Sequence, residues 1–211
     1  VTAPLIIAVD GPVASGKSTL ARRLAEALGI AFLDTGLLYR AVGRRVLAAG
    51  ADPADGAAAL REAAALQPVD VDHPALRDEA VGQAASRVAA FQAVRDALLP
   101  FQRQFAGRLP GAVLAGRDIG TVICPDATLK IFVTASVEER ARRRYEELRR
   151  RGVATIYDAV LEELRERDRR DEARAVAPLR AAHDAWILDT TELDADAAFE
   201  AARHRVEQIR R

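Results

Sequence analysis

The chain of 211 residues has no methionine, one cysteine, and only two lysines, Lys17 and Lys130, among 31 basic residues. Each scarcity excludes something. Cys124 cannot form an intramolecular disulfide, which favours a cytosolic setting. Aromatic residues make up 5% of the chain and the net charge is zero. That composition argues against a base-stacking platform for single strands and against a global binder of polyanions, so no nucleic-acid partner is expected. No apolar run approaches the ~18–20 residues of a membrane span, so no membrane association is expected. The chain runs almost at once into its first apolar segment, so no signal peptide is expected and the expected location is cytoplasmic. With arginine this dominant, most arginines need no functional explanation. The two lysines deserve individual reading; Lys130, inside an apolar run, reads as structural.

What is present is concentrated near the start. Leu5 to Val9 is an apolar, strand-like run, and it leads into Gly11-Pro12-Val13-Ala14-Ser15-Gly16-Lys17-Ser18-Thr19 before a helical pattern begins. Two glycines separated by four residues, then Lys-Ser, between a strand and a helix, form a phosphate-binding loop. The glycines let backbone N–H groups converge on phosphate, and the helix that follows adds its positive end. Lys17 supplies a point charge for the outer phosphates, and the Ser18 hydroxyl is placed to ligate Mg²⁺.

Along the rest of the chain short apolar runs alternate with longer helical patterns. Strands are expected at 5–9, 31–33, 112–115, 129–134 and 185–188. Helices are expected at 17–28, 37–49, 54–66, 75–89, 92–106, 137–151, 155–170 and 195–210. Five strands alternating with helices predict an α/β chain, with a parallel sheet covered on both faces. Residues 53–107 are almost wholly helical in pattern, an insertion between the second and third strands in which only 68–71 could extend.

Three further constellations suit a ligand crevice at the carboxyl ends of such strands. In Leu33-Asp34-Thr35-Gly36-Leu37-Leu38-Tyr39-Arg40, Thr35 reads as the cap of the next helix and Tyr39 and Arg40 as candidates to face a second substrate. Gly116-Arg117-Asp118-Ile119-Gly120 sets two charges between glycines after another strand. Arg167, Asp171 and Arg174 are spaced i, i+4, i+7 and share a helix face, where two guanidiniums around a carboxylate can clamp phosphate. Arg140 and Arg142–Arg144, followed by Arg149–Arg151 and Gly152, form a basic cluster ending in a loop, suited to a lid over a transferring phosphate.

Taken together, Asp10-Gly-Pro-x-x-Ser-Gly-Lys-Ser-Thr19, Leu33-Asp-Thr-Gly-x-x-Tyr-Arg40, Gly116-Arg-Asp-Ile-Gly-Thr-Val122, the segment Phe132–Arg144, Arg167-Asp-x-x-Asp171 with Arg174, and Leu188-Asp-Thr-Thr191 resemble the bacterial cytidylate kinase family, within the nucleoside-monophosphate kinases. The resemblance covers nearly the whole chain, in order. It implies a P-loop nucleoside-monophosphate kinase fold: a five-stranded parallel sheet flanked by helices, one kinase domain over 1–211, a mostly helical acceptor-binding insertion at 36–108 and a short lid at 148–158. It implies ATP as donor, CMP or dCMP as acceptor, Mg²⁺ as cofactor and a monomer. By matching positions, Lys17, Arg117, Asp118 and Arg144 are expected in catalysis and Gly11–Thr19 at ATP. Thr35, Tyr39, Arg40, Ser86, Arg95, Arg117, Asp118, Arg167, Asp171 and Arg174 are expected at the acceptor, with Ser86 and Arg95 at the cytosine and phosphate and Asp171 at the pentose.

Two departures from the family pattern stand out. Ala115 occupies a position where members commonly carry an acid, so the metal falls to Ser18 and Asp34, with Asp10 a further candidate for its water shell. Between the helices near 66 and 76, where members often carry a small sheet, only Gln67–His73 fills the gap. Two rival readings remain beside the resemblance. A P-loop switch of the small-GTPase kind is opposed by the lack of an Asn-Lys-x-Asp motif. A P-loop kinase for another small acceptor stays open.

Overall fold

The computed structural model describes residues 3–209. Five strands form one parallel sheet: β1 (Leu5–Asp10), β2 (Ala31–Asp34), β3 (Gly111–Gly116), β4 (Leu129–Thr134) and β5 (Trp186–Asp189), in the order β2-β3-β1-β4-β5. With β1 central, the chain leaves it toward β3 and β2 on one side and β4 and β5 on the other. The crevice beyond the carboxyl end of β1 is therefore where a ligand belongs.

Alternation along the strands builds two cores. Ile7, Val9, Val113, Ala115, Ile131 and Val133 face Leu20 and Leu24 of α1 (Lys17–Leu28) and Ala202 and Val206 of α8 (Ala195–Ile209). Ala8, Ala112 and Leu114 face Phe105 and Ala106 of α5 (Gln92–Ala106) and Ile119 and Ile123 of a π-helical turn, Ile119–Ile123. Each large side chain buried this way contributes about 1.5–3 kcal/mol, which fixes the sheet on which the loops stand. Lys130 is structural: buried on β4, it donates to both oxygens of Asp184 at 2.9 and 2.8 Å.

The stretch between β2 and β3 is helical: α2 (Thr35–Ala48), α3 (Gly56–Ala64), two 3₁₀ turns (Pro68–Asp72 and Pro74–Arg77), α4 (Glu79–Val88) and α5. Residues 68–71 do not extend, because Asp70 caps their turn from Gln67 N–H at 2.9 Å and draws in Arg44 and Arg45 of α2 at 2.9 and 3.3 Å. The helix expected from Ala75 begins only at Glu79. Pro74 opens a 3₁₀ turn whose Leu76 is buried, and Asp78 is extended before the α-helix starts. Thr35 is not the cap of α2. Asp34, still extended, accepts from Gly36 N–H at 3.0 Å, and Thr35 is the first helical residue.

After β4 come α6 (Val137–Arg150) and α7 (Tyr157–Ala173). The latter starts and ends later than expected, so Asp171 is helical while Arg174 has left the helix with φ −57° and ψ 131°. Arg210, expected to end α8, lies outside the described residues. Among those described, no helix is long and apolar enough to cross a membrane.

Within the insertion, α2 packs closely against α4. A Cβ on Gly43 would stand 2.9 Å from the Ala85 nitrogen and 3.0 Å from the Ala84 Cβ. Gly43→Ala gains about 1 kcal/mol of helix propensity but forces two backbones apart, a loss of about 1–3 kcal/mol. The melting temperature should fall by several degrees, at about 2–4 °C per kcal/mol for a chain of this size; a higher one in calorimetry means that α4 yields freely.

Candidate active site

The phosphate-binding loop leaves the end of β1 and turns back into α1. Gly11 has no space for a side chain, because a Cβ would run into the Val133 carbonyl. Gly16 has φ 87° and Ala14 φ 59°, the left-handed conformation in which a Cβ is strained by about 1–2 kcal/mol. Lys17 opens α1, and its Nζ donates to the Pro12 carbonyl at 3.0 Å. This folds the lysine over the loop from within.

The loop is a wall between two cavities. Val13, Ala14, Lys17 and Ser18 line the first, of about 230 Å³; Ser15, Gly16 and Thr19 line the second, of about 200 Å³. All ten residues expected at the acceptor line the first cavity. Thr35, Tyr39 and Arg40 come from α2, Ser86 from α4 and Arg95 from α5; Arg117 and Asp118 follow β3, and Arg167, Asp171 and Arg174 belong to α7 and its exit. Asp34 lines it as well.

Hydrogen bonds order this cluster. Asp171 accepts from Ser86 at 3.1 Å and from Arg117 at 3.0 Å, so one carboxylate joins α4, the loop after β3 and α7. Asp118 pairs with Arg95, itself held by the Ala89 carbonyl at 3.2 Å and standing over the Tyr39 ring. Thr35 donates to the Ala115 carbonyl at 2.9 Å, and Arg174 Nε to the Asp171 carbonyl at 3.2 Å. Arg40 is tied to the Leu76 carbonyl at 2.7 Å. The Tyr39 hydroxyl, Arg167 Nε and Arg174 Nη2 are buried without a partner in the protein. All three belong to residues that line one cavity, a setting that suits a polar ligand.

The electrostatics say which charge it carries. Lys17, Arg40, Arg95, Arg117, Arg167 and Arg174 share the cavity with Asp34, Asp118 and Asp171, a surplus of cations. Burial lowers the Lys17 ammonium well below its usual range, and Arg117 adds repulsion. Burial, then Arg117, brings Arg167 down to about 10. Burial also lowers Arg40 and Arg174. Burial works against the Asp171 carboxylate, but Arg117, Arg167 and Arg174 outweigh it and hold it below the usual carboxylate range. The site is built for an anion with several oxygens, such as phosphate.

Arg144 does not line this cavity. It is ion-paired with Glu79 of α4 and Glu147, beside a small hollow shared with Val13, Ala14, Arg40 and Arg167. Its neighbours on α6 do more than the charge run suggested. Arg140 donates to the Val13 carbonyl at 3.3 Å and to Asp168 at 2.7 Å, fastening the loop to α6 and α7. Arg143 is held by Glu139 at 2.8 Å, by the Thr190 hydroxyl at 3.0 Å and by the Thr190 and Leu193 carbonyls, and lines the second cavity. No spacing rule separates these two arginines from their exposed neighbours. The clue was indirect: Leu188-Asp-Thr-Thr191 at the end of β5 sits where a strand-end loop meets the same crevice.

A divalent cation has a fitting but sparse site. Among the described residues, no group of three His, Cys, Asp or Glu side chains forms a metal cage. The Ser18 hydroxyl and Asp34 carboxylate line one cavity, and Asp34 stands in register with Ala115 on the neighbouring strand, so it offers the acid that Ala115 does not. One hydroxyl and one carboxylate suit Mg²⁺, which keeps several waters and takes substrate phosphates as ligands. Asp10 does not line the cavity.

A family pattern described as cytidylate kinase matches residues 7–208. The chain belongs to the cytidylate kinase family. It is 60% identical over 200 residues to the cytidylate kinase of Paramagnetospirillum magneticum, covering 93% of this chain and 95% of that one. To the cytidylate kinase of Granulibacter bethesdensis it is 62% identical over 205 residues, covering 97% and 96%. Among solved structures, shikimate kinase from Bacteroides thetaiotaomicron is similar in fold, with a TM-score of 0.50 at 16% identity over 97% of both chains. An uncharacterized protein from Eubacterium ventriosum gives 0.57 at 15% identity, over 96% of this chain and 98% of the other. The sheet with its phosphate-binding loop is thus the P-loop kinase fold.

The surplus of positive charge has a direct consequence for the unliganded protein. Sulfate at about ten times its dissociation constant should stabilise it by about 1.4 kcal/mol, or about 3–5 °C, relative to chloride at equal ionic strength. Arg174→Ala should reduce that gain; an equal gain in the variant places the anion elsewhere.

Proposed function

We propose that the chain transfers the γ-phosphoryl group of ATP to CMP or dCMP, giving CDP or dCDP and ADP. The observation that carries this reading is one cavity in which the phosphate loop, with Lys17, faces a ring of arginines that hold unpaired donors. Gly11–Thr19 cradle the donor phosphates, and the second cavity, walled by Arg143 and Thr190, takes the donor base. At the acceptor, Arg117, Arg174 and Arg40 hold the phosphate, with Thr35 and Tyr39 beside it. Ser86 and Arg95 serve the cytosine side, with Asp118, and Asp171 serves the pentose.

An oxygen of the CMP phosphate forms the new bond to the γ-phosphorus while the bond to the β-phosphate oxygen breaks, its electron pair leaving with ADP. Lys17, Arg117 and Arg167 neutralise charge spread over the transferred group, and positioning supplies most of the rate. Ser18 and Asp34 would hold Mg²⁺, which would supply charge neutralisation at the donor phosphates. Residues 36–108 form the acceptor cover and 148–158 the lid, whose closure keeps water from the phosphoryl group. Arg144, on the helix leading into the lid, leaves Glu79 for the phosphates when the lid closes.

Lys17→Ala should lower turnover by several orders of magnitude in a coupled assay, with melting little changed; near-normal turnover removes Lys17 from the chemistry. Loss of a charge-assisted contact costs about 1.5–3 kcal/mol, so Arg174→Ala should raise KM for CMP about tenfold to a hundredfold and leave KM for ATP nearly alone. The same assay with UMP, AMP and shikimate in place of CMP tests the acceptor. A faster reaction with any of them overturns the assignment.

The missing acid at Ala115 predicts a high requirement for free Mg²⁺. Ala115→Asp should lower it, and Asp34→Asn should raise it by about 10–100-fold. Saturation of the wild type at low Mg²⁺, with Asp34→Asn indistinguishable from it, would count against both assignments.

A further inference from the structure

Asp10 is the last residue of β1 and lies directly before Gly11, in register with Gly116 of β3. It is buried and does not line the cavity. Its two oxygens accept from consecutive amides, Oδ1 from Ile119 N–H and Oδ2 from Gly120 N–H, each at 2.8 Å. Those amides open the π-helical turn that follows Arg117 and Asp118. The turn closes on itself through the Asp118 carbonyl, which accepts from Val122 at 2.9 Å and Ile123 at 3.2 Å. A carboxylate on the donor side thus grips the first two amides after the acceptor pair.

Gly120 is closely covered by Lys130. A Cβ on Gly120 would stand 3.1 Å from Lys130 Cδ and 3.4 Å from Asp10 Oδ2. Lys130, which covers this glycine, is itself fixed by Asp184. Keeping a carboxylate here is costly. Burial pushes Asp10 up to about 7 against the two amide bonds, with Asp118 raising it further and Arg117 lowering it; the Cys124 thiol is also nearby. A neutral side chain of the same shape would avoid that cost but would lose one of the two acceptors the amides require.

We propose that Asp10 is a positioning residue that fixes Arg117 and Asp118 relative to the donor loop and so sets how donor and acceptor meet. The proposal rests on the reading of Arg117 and Asp118 as acceptor residues. Arg117 reaches Asp171, and Asp118 reaches Arg95, so a shift of the turn is passed to both sides of the acceptor pocket.

Asp10→Asn keeps the volume and turns one accepting oxygen into a donor facing an amide donor. Misplacement of reacting groups by about 1 Å can cost about a hundredfold, so kcat/KM for CMP should fall about 10–100-fold. The dissociation constant of ATP alone, from equilibrium titration, should stay within about threefold, since the donor loop keeps its own bonds. Gly120→Ala presses on Lys130, which covers the gripped amide, with the carboxylate intact, and should give the same pattern in milder form. It decides the matter if Asp10→Asn does not fold. Arg117→Ala is the control: if it leaves KM for CMP unchanged, the acceptor reading fails. If it raises KM while Gly120→Ala and any folded Asp10→Asn behave as wild type, the positioning role fails. Equal losses for ATP binding and CMP turnover also overturn it, since Asp10 would then only support the loop.

Discussion

Six cationic side chains share one cavity with three carboxylates, and the fold has to hold that surplus together away from bulk water. Like charges at such range repel strongly where water is scarce. The chain meets this by distributing anchors. Asp171 bonds Arg117, Asp118 bonds Arg95, and backbone carbonyls take up Lys17, Arg40 and Arg174. The repulsion that remains, carried by Arg167 and Lys17 above all, is what an incoming phosphate relieves. Binding and fold are coupled through this one imbalance.

Rigidity around the cavity comes from crossing points between elements. On one side, Asp10 and Thr35 bind the loops after β3 and β2 to the sheet. On the other, α6 reaches three neighbours through three arginines: the phosphate loop through Arg140, the loop after β5 through Arg143, and α4 through Arg144. This helix carries one wall of the second cavity and, through Arg144, borders the small hollow beside the first, so the two sites are tied to one body. The sheet needs no such ties, since its two apolar faces are sealed by helices.

Much of the architecture was legible because its signals are local and periodic. The five apolar runs became five parallel strands, with β1 ending where the phosphate loop begins and β3 ending on Gly116, which lines the site. The phosphate loop needed no more than its glycines, Lys17 and Ser18. Arg167 and Asp171 were legible as one helix face. Arg174 was placed in the right neighbourhood by the wrong geometry, since the helix ends at Ala173 and a bend brings its guanidinium in. Ser86 and Arg95 were reachable only by resemblance, because a serine and an arginine in an amphipathic helix carry no signal of their own. Asp34 displaced Thr35 as the cap, and the 3₁₀ turns around Leu76 replaced a helical start, because side-chain-to-backbone bonds overrode periodicity. The second cavity was illegible: its walls come from the phosphate loop, α6 and the end of β5, which only the folded sheet brings together.

The choice of guanidinium over ammonium at almost every cation of the cavity has a further meaning. Even Arg167, lowered to about 10, keeps its charge throughout the neutral range. A phosphate monoester, by contrast, changes its own charge near pH 6. The arginine side of the pocket is therefore a constant field against which the ligand titrates. Sensitivity of acceptor binding to acidity belongs to the nucleotide, while on the protein side burial lowers the Lys17 ammonium well below its usual range.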